Sequence, residues 1–89
     1  MLQSPYTAPM QFRVLLFGPA AAAAGTNQIT LESASPLTAA ATLERLAENP
    51  RLRPLLQGAR LAVNHAFVSP DHPITGRDEV ALIAMVSGG

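Results

Sequence analysis

Two short apolar stretches, one near the start of the chain and one near its end, constrain the fold more than any other feature. Phe12-Arg13-Val14-Leu15-Leu16-Phe17 and Val80-Ala81-Leu82-Ile83-Ala84-Met85-Val86 both carry apolar residues on each side of their alternation. A strand that faces water on one side reads apolar-polar-apolar, whereas a strand apolar on both sides belongs inside a sheet. One strong amphipathic helix lies between the two. The pair therefore reads as neighbouring central strands, parallel, with the helix making the crossover.

The intervening residues fill in the rest. Residues 10–17 form the first strand and Gly18-Pro19 stops it. Residues 20–24, all alanine, make a short helical turn closed by Gly25, to which no chemistry is assigned. Residues 27–32 give a second strand with Ile29 and Leu31 inward. Ser35 is the expected N-cap of the main helix, Pro36 its first residue, and Pro50 lies beyond its end. Between them Pro36, Ala39, Ala40, Leu43, Leu46 and Ala47 form a stripe at helical spacing, with Glu44, Arg45 and Glu48 toward solvent. Residues 51–58 connect, with room for one helical turn. Leu61-Ala62-Val63 and Ala66-Phe67-Val68 are two short strands around a tight turn at Asn64-His65. Residues 69–73 read as an irregular loop, and residues 79–86 as the last strand, with Val80, Leu82 and Ala84 on one face and Ala81, Ile83 and Met85 on the other. A first hairpin, a helix laid across the sheet and a last strand beside the first describe a β-grasp. The fold class is α+β, a mixed sheet of four to five strands with one main helix on one face. Residues 1–9, with two prolines and no periodicity, read as a disordered leader; residues 10–86 form the domain, and residues 87–89 a flexible Gly-Gly tail.

Composition removes several function classes. Six basic residues balance six acidic ones, so no basic field exists for a phosphate backbone. No apolar run approaches the roughly 20 residues that cross a bilayer. Residues 1–6 lack the charged and apolar regions of a signal peptide, which points to the cytosol. The absence of cysteine excludes thiol nucleophiles, thiolate metal sites and cysteine persulfides. At 89 residues one modest core is the limit.

Conventional sites are weak. His65 and His72, near Asp71 and Asp78, have no spacing that forces the three or four converging ligands a metal needs, and no metal is expected. Asp71-His72 has no nucleophile elbow to complete a triad. Gly88-Gly89 has no helix after it and so makes no phosphate loop. Glycines at the end of a central strand cost backbone entropy on ordering. They make sense where a chain without Cβ atoms must pass through a narrow slot on another protein and deliver a terminal carboxylate. Converting that carboxylate to an acyl-adenylate supplies a leaving group, after which a sulfur nucleophile gives a thiocarboxylate. The alternative is a chance Gly-Gly end.

The last third carries a more specific signal. Leu61-Ala62-Val63-Asn64, Phe67-Val68-Ser69, Asp71-His72-Pro73, Asp78-Glu79-Val80-Ala81 and Val86-Ser87-Gly88-Gly89 resemble the small subunit of molybdopterin synthase, a sulfur-carrier family with a ubiquitin-like β-grasp fold. The first strand and Gly25-Thr26 fit the same pattern. The layout agrees over residues 10–89, and the specific motifs lie in residues 61–89. Two departures stand out. The family's paired prolines before the terminal valine are Ala84-Met85 here, and its Asp-Gly-Asp turn is Gly76-Arg77-Asp78. Thiamin-pathway carriers share the fold and tail but usually lack the Asp-His-Pro loop.

The resemblance implies that Gly89 is adenylated by an E1-like enzyme using ATP, then converted to a thiocarboxylate by a sulfurtransferase system. The charged chain docks on the synthase large subunit, within a heterotetramer, and passes sulfur to cyclic pyranopterin monophosphate. The catalytic groups belong to the large subunit; this chain binds no cofactor. Because one helix covers only one sheet face, Phe17, Ile83 and Met85 on the other are expected to form an apolar patch leading to the Gly88-Gly89 tail. Two other readings stay open: a carrier for thiamin or another thiolated metabolite, and a ubiquitin-like modifier or interaction domain.

Overall fold

The computed structural model describes residues 9–84. Strand β1 (Met10–Leu16) buries Phe12, Val14 and Leu16 on one face while Arg13 stays exposed and Leu15 half-buried on the other. Phe17, expected to end that strand, is instead the N-cap of helix α1 (Gly18–Ala24). The alanine run thus starts earlier than the residues 20–24 read from sequence, with Pro19 in its first turn and Gly25 closing it in the left-handed region at φ 74°. Strand β2 (Gln28–Ser33) returns antiparallel, with Phe12 opposite Leu31 and Val14 opposite Ile29.

The main helix begins later than the Ser35-Pro36 signal suggests. Helix α2 spans Ala39–Leu46 and its N-cap is Thr38, whose Oγ1 accepts from the Ala41 N–H at 3.0 Å. Leu37–Thr38 is extended and forms strand β3, which pairs with strand β6 (Pro73–Ile74), placing Leu37 opposite the fully buried Ile74. Pairing these residues withholds them from the helix, so Pro36 is exposed and outside it. The loop expected to be irregular therefore contains a strand, and it does a second job. Its carbonyls take two N–H groups of the first turn of α2, Ala39 to His72 O at 2.9 Å and Ala40 to Pro70 O at 2.8 Å. The helix buries Ala39, Thr42 and Leu46, with Leu43 half-buried; the Thr42 hydroxyl donates to Thr38 O at 2.9 Å, which satisfies the polar side chain hidden in the core.

After α2 the connector holds a 3-10 turn at Arg53–Leu55, and Leu52, fully buried, enters the core from it. Strands β4 (Arg60–Val63) and β5 (Ala66–Phe67) form a hairpin whose two turn residues, Asn64 and His65, both have positive φ, at 53° and 74°. That is the I′ geometry whose twist suits a two-residue hairpin, and Asn tolerates it. Strand β7 (Val80–Ile83) buries Val80 and Leu82 and runs parallel to β1 (Val14 opposite Val80, Leu16 opposite Leu82) and antiparallel to β4 (Leu61 opposite Leu82). Residues 85 and 86 of the last strand expected over residues 79–86 lie outside the described residues, as do the expected tail, 87–89, and residues 1–8 of the expected leader.

The five-stranded sheet has the order β2-β1-β7-β4-β5, with the two apolar strands at its centre as their composition requires. The main core lies between one face of this sheet and α2. Gly76, at the turn before β7, passes so close to β1 that a Cβ there would sit 2.9 Å from Gln11 O, so only glycine fits without moving backbone.

Candidate functional site

The sheet face away from α2 carries the candidate site. Residues directly opposite one another on neighbouring strands share a face. Leu15, Ala81, Ala62 and Phe67 therefore form one row across β1, β7, β4 and β5. Ile83 and Arg60 stand opposite each other in the next row, and Phe17 follows β1 at the same end. Phe17 is 55% and Phe67 50% exposed, the two large hydrophobic side chains in water among the described residues, while Ile83 is half-buried. They surround a shallow depression of about 340 Å³ lined also by Ala62, Ala81, His65 and Glu79. An exposed patch with two aromatics at its rim has the composition of a contact surface. Phe17 and Ile83 thus lie where sequence alternation puts them. Met85, Gly88 and Gly89 lie outside the described residues.

Sequence reasoning missed Phe67 and Arg60. The Arg60 guanidinium lies 4.3 Å from the centroid of the Phe67 ring, a cation–π contact at the patch edge. The signal was available: a two-residue turn at Asn64-His65 fixes the hairpin register and sets Phe67 opposite Ala62, on the face the helix leaves open.

The start of β7 is held by side chains rather than by packing alone. Asn64 accepts from the Glu79 N–H at 2.9 Å through Oδ1 and donates to Asp78 Oδ1 at 3.0 Å through Nδ2, while its own N–H donates to Glu79 O at 2.7 Å. Asp78 Oδ2 accepts from the Thr75 N–H at 2.8 Å. The hairpin turn is thereby tied to the residues that lead into the central strand. The Thr75 backbone donor, then the Asn64 amide, hold the Asp78 carboxyl below the usual carboxylate range. Its folded pKa being depressed, the stabilisation is complete at neutral pH and is lost as pH falls below about 4, through the folded value. We expect Asp78→Ala to cost about 1–2 kcal/mol at pH 7 by chemical denaturation, with the difference from the parent shrinking by pH 3. A gap independent of pH would show that the carboxylate charge is not what stabilises the turn.

The histidines do not converge. His65 Nε2 lies 3.4 Å from Glu79 Oε1 at the patch edge, and both side chains are largely exposed. His72 is in the loop that caps α2. Ser69 Oγ donates to Asp71 Oδ1 at 2.7 Å, and that bond first, then an Asp71 backbone bond, lowers the Asp71 pKa. Among the described residues no group of three or more His, Cys, Asp or Glu side chains is placed to hold a metal, and no helix is long and apolar enough to cross a membrane.

The geometry is that of a β-grasp whose one uncovered apolar face adjoins the exit of its central strand. The ThiS family model matches residues 14–89. The chain belongs to the ThiS family. Within it, the chain is 34% identical over 79 residues to the molybdopterin synthase sulfur carrier subunit of Escherichia coli, covering 86% of this chain and 98% of that protein. The resemblance read from residues 61–89 is borne out by this match. ThiS-family architecture extends to solved structures of lower identity. Small archaeal modifier protein 1 of Haloferax volcanii superimposes with a TM-score of 0.74 at 20% identity, covering 86% of this chain and 99% of that one. A chain from the complex of subunits 1 and 2 of the molybdopterin-converting factor of Helicobacter pylori gives 0.65 at 21% identity, covering 90% and 100%. These two establish the ubiquitin-like fold of this ThiS-family chain and its α+β class.

Proposed function

We propose that this chain is the sulfur-carrying small subunit of molybdopterin synthase and that its reactive group is the Gly89 carboxylate. The observation that carries the reading is the 34% identity to the Escherichia coli sulfur carrier subunit over 98% of that protein's length, with the family match running through residue 89. The fold supports it. The central strand β7 leads out beside the open Phe17–Ile83–Phe67 face, so a partner gripping that face is adjacent to the chain that follows Ala84.

The chemistry follows from what a carboxylate lacks. A Gly89 carboxylate oxygen attacks the α-phosphate of ATP on an E1-like enzyme and pyrophosphate leaves. The persulfide of a sulfurtransferase then attacks the acyl carbon and displaces AMP, and a second thiol of that system cleaves the resulting acyl disulfide, which releases the thiocarboxylate and leaves a disulfide on the transferase. Docked on the large subunit, in a heterotetramer of two large and two small subunits, the thiocarboxylate gives its sulfur to cyclic pyranopterin monophosphate. Water restores the carboxylate. The large subunit supplies the pocket and the proton transfers; this chain supplies the address and the atom. It needs no resident cofactor, since ATP is consumed by the activating enzyme.

Incubation with ATP, an E1-like activating enzyme and a sulfur donor is expected to raise the intact mass by the difference between sulfur and oxygen. The charged carrier should then lose that mass in the presence of the large subunit and the pterin. An unchanged mass defeats the proposal, and a conjugate to lysine under the same conditions supports a modifier. Co-purification with a thiazole synthase in place of the large subunit supports a thiamin carrier.

A further inference from the structure

We propose that Arg60 and Arg13 form a cationic rim on the docking face, and that this face is built for a partner whose apolar contact is edged by carboxylates. The inference rests on the docking reading above and adds the chemistry that orients the partner. Both arginines are exposed, and both lie on the uncovered face. Arg60 stands opposite Ile83 in the row nearest the strand exit; Arg13 lies on β1 two positions before Leu15, beside a second hollow of about 370 Å³. They bracket the apolar patch at two ends.

Among the described residues, the side chains of Arg60 and Arg13 make no hydrogen bond and no ion pair, whereas Arg45 Nε lies 4.0 Å from Glu48 and Arg53 Nε donates to Ala47 O at 3.0 Å. The acids near the face lie against other groups of the chain. Glu79 faces His65 at 3.4 Å, Asp78 holds the turn, and Glu32 Oε2 accepts from Gln11 Nε2 at 3.3 Å. The Phe67 ring contacts Arg60 through the aromatic π-system, which leaves guanidinium N–H donors uncommitted. Stacking also restrains a long side chain before any partner arrives, so less rotamer entropy is lost when a carboxylate is bound. A planar fork of donors matches a carboxylate in bidentate geometry, and the match strengthens as the interface excludes water. Two such contacts at opposite ends of an apolar patch fix how the partner sits, and therefore where its pocket lies relative to the chain leaving β7.

The test measures binding of the intact carrier to its cognate synthase large subunit across a salt series. The variants are Arg60→Glu, Arg60→Gln and Arg13→Glu, with Arg51→Glu, on the connector after α2, as the control. Charge reversal at Arg60 is expected to weaken binding about 30- to 100-fold, reversal at Arg13 by about 10-fold or more, and Arg60→Gln by about 10-fold with a shallower salt dependence, because like charges brought together at an interface are costly. Arg51→Glu should bind like the parent. Melting temperatures of all four establish that the exposed substitutions leave the fold intact. A parent complex indifferent to salt, with Arg60→Glu within twofold of it, overturns the inference while leaving the docking reading in place. Failure of the parent to bind the large subunit at any salt overturns both.

Discussion

Removing Gly89 is expected to abolish sulfur loading and transfer while leaving the melting temperature within about 1 °C of the parent. The loss follows from placement. Shortening an extended chain by one residue retracts its carboxylate by about 3.5 Å, and misplacing a reacting atom by even 1 Å costs on the order of a hundredfold. The truncated chain should therefore fall at least a thousandfold, in both the ATP-dependent mass gain and the delivery step. Adding one alanine after Gly89 should do the same by pushing the reactive carbon beyond its site. Stability should not follow, because among the described residues the buried core runs from Phe12 to Leu82, and a terminal glycine has no side chain to add to it. For a domain this small a loss of 1 kcal/mol lowers the melting temperature by roughly 4–8 °C. A drop of that size on deleting Gly89 would mean that the residue belongs to the folded body, and the carrier reading would lose its physical basis.

Placing a charge at Phe17 should separate docking from folding. More than half of this side chain is in water, so Phe17→Asp exposes no cavity and removes little buried area; the expected stability change is within about 0.5 kcal/mol. At an interface the same carboxylate would be buried in an apolar patch without a guaranteed partner. Truncating an aromatic anchor alone typically costs 2 kcal/mol or more, and a buried unpaired charge adds to that. We expect at least a hundredfold weaker binding to the large subunit, read by titration calorimetry, with an unchanged urea midpoint. Loading by the activating enzyme should fall as well if that enzyme grips the same face. Undiminished binding of Phe17→Asp would remove the Phe17–Ile83–Phe67 face from the mechanism.

Most of the architecture was legible, for reasons that can be assigned to residues. Phe12 to Leu16 and Val80 to Ile83 carry apolar side chains on both faces, which only interior strands can use, and they pair in parallel at the sheet centre. Asn64 marked the hairpin because it accepts a positive φ. The two-residue strands β3 and β6 could not be read, since two residues carry no period. Their existence in turn moved the helix start: Ser35-Pro36 has the stronger local signal, but pairing Leu37 with Ile74 captures the next two residues and hands the cap to Thr38. Tertiary pairing overrode propensity. Leu52 was hidden for a similar reason, a single core residue inside a connector. At the candidate site, the argument that one helix covers one face was enough to place Phe17 and Ile83 on the uncovered face. It missed Phe67 because two-residue β5 displays no alternation of its own, and only the hairpin register counted from the Asn64-His65 turn places that ring on the open face. Met85, Gly88 and Gly89 lie outside the described residues, and their roles rest on the biochemical tests above.

The parallel pairing of β1 with β7 also governs when a nascent copy becomes usable. Val14 finds its partner at Val80, so the innermost ladder cannot close until the ribosome has exposed the chain through Val80. Contacts this remote in sequence are slow to form, since the loop entropy between them must be overcome first. A copy in which this ladder is open lacks the apolar face built across β1, β7, β4 and β5. On the proposed carrier reading, an activating enzyme that grips that face before using ATP would pass over such copies, and the ladder would then restrict sulfur loading to folded chains.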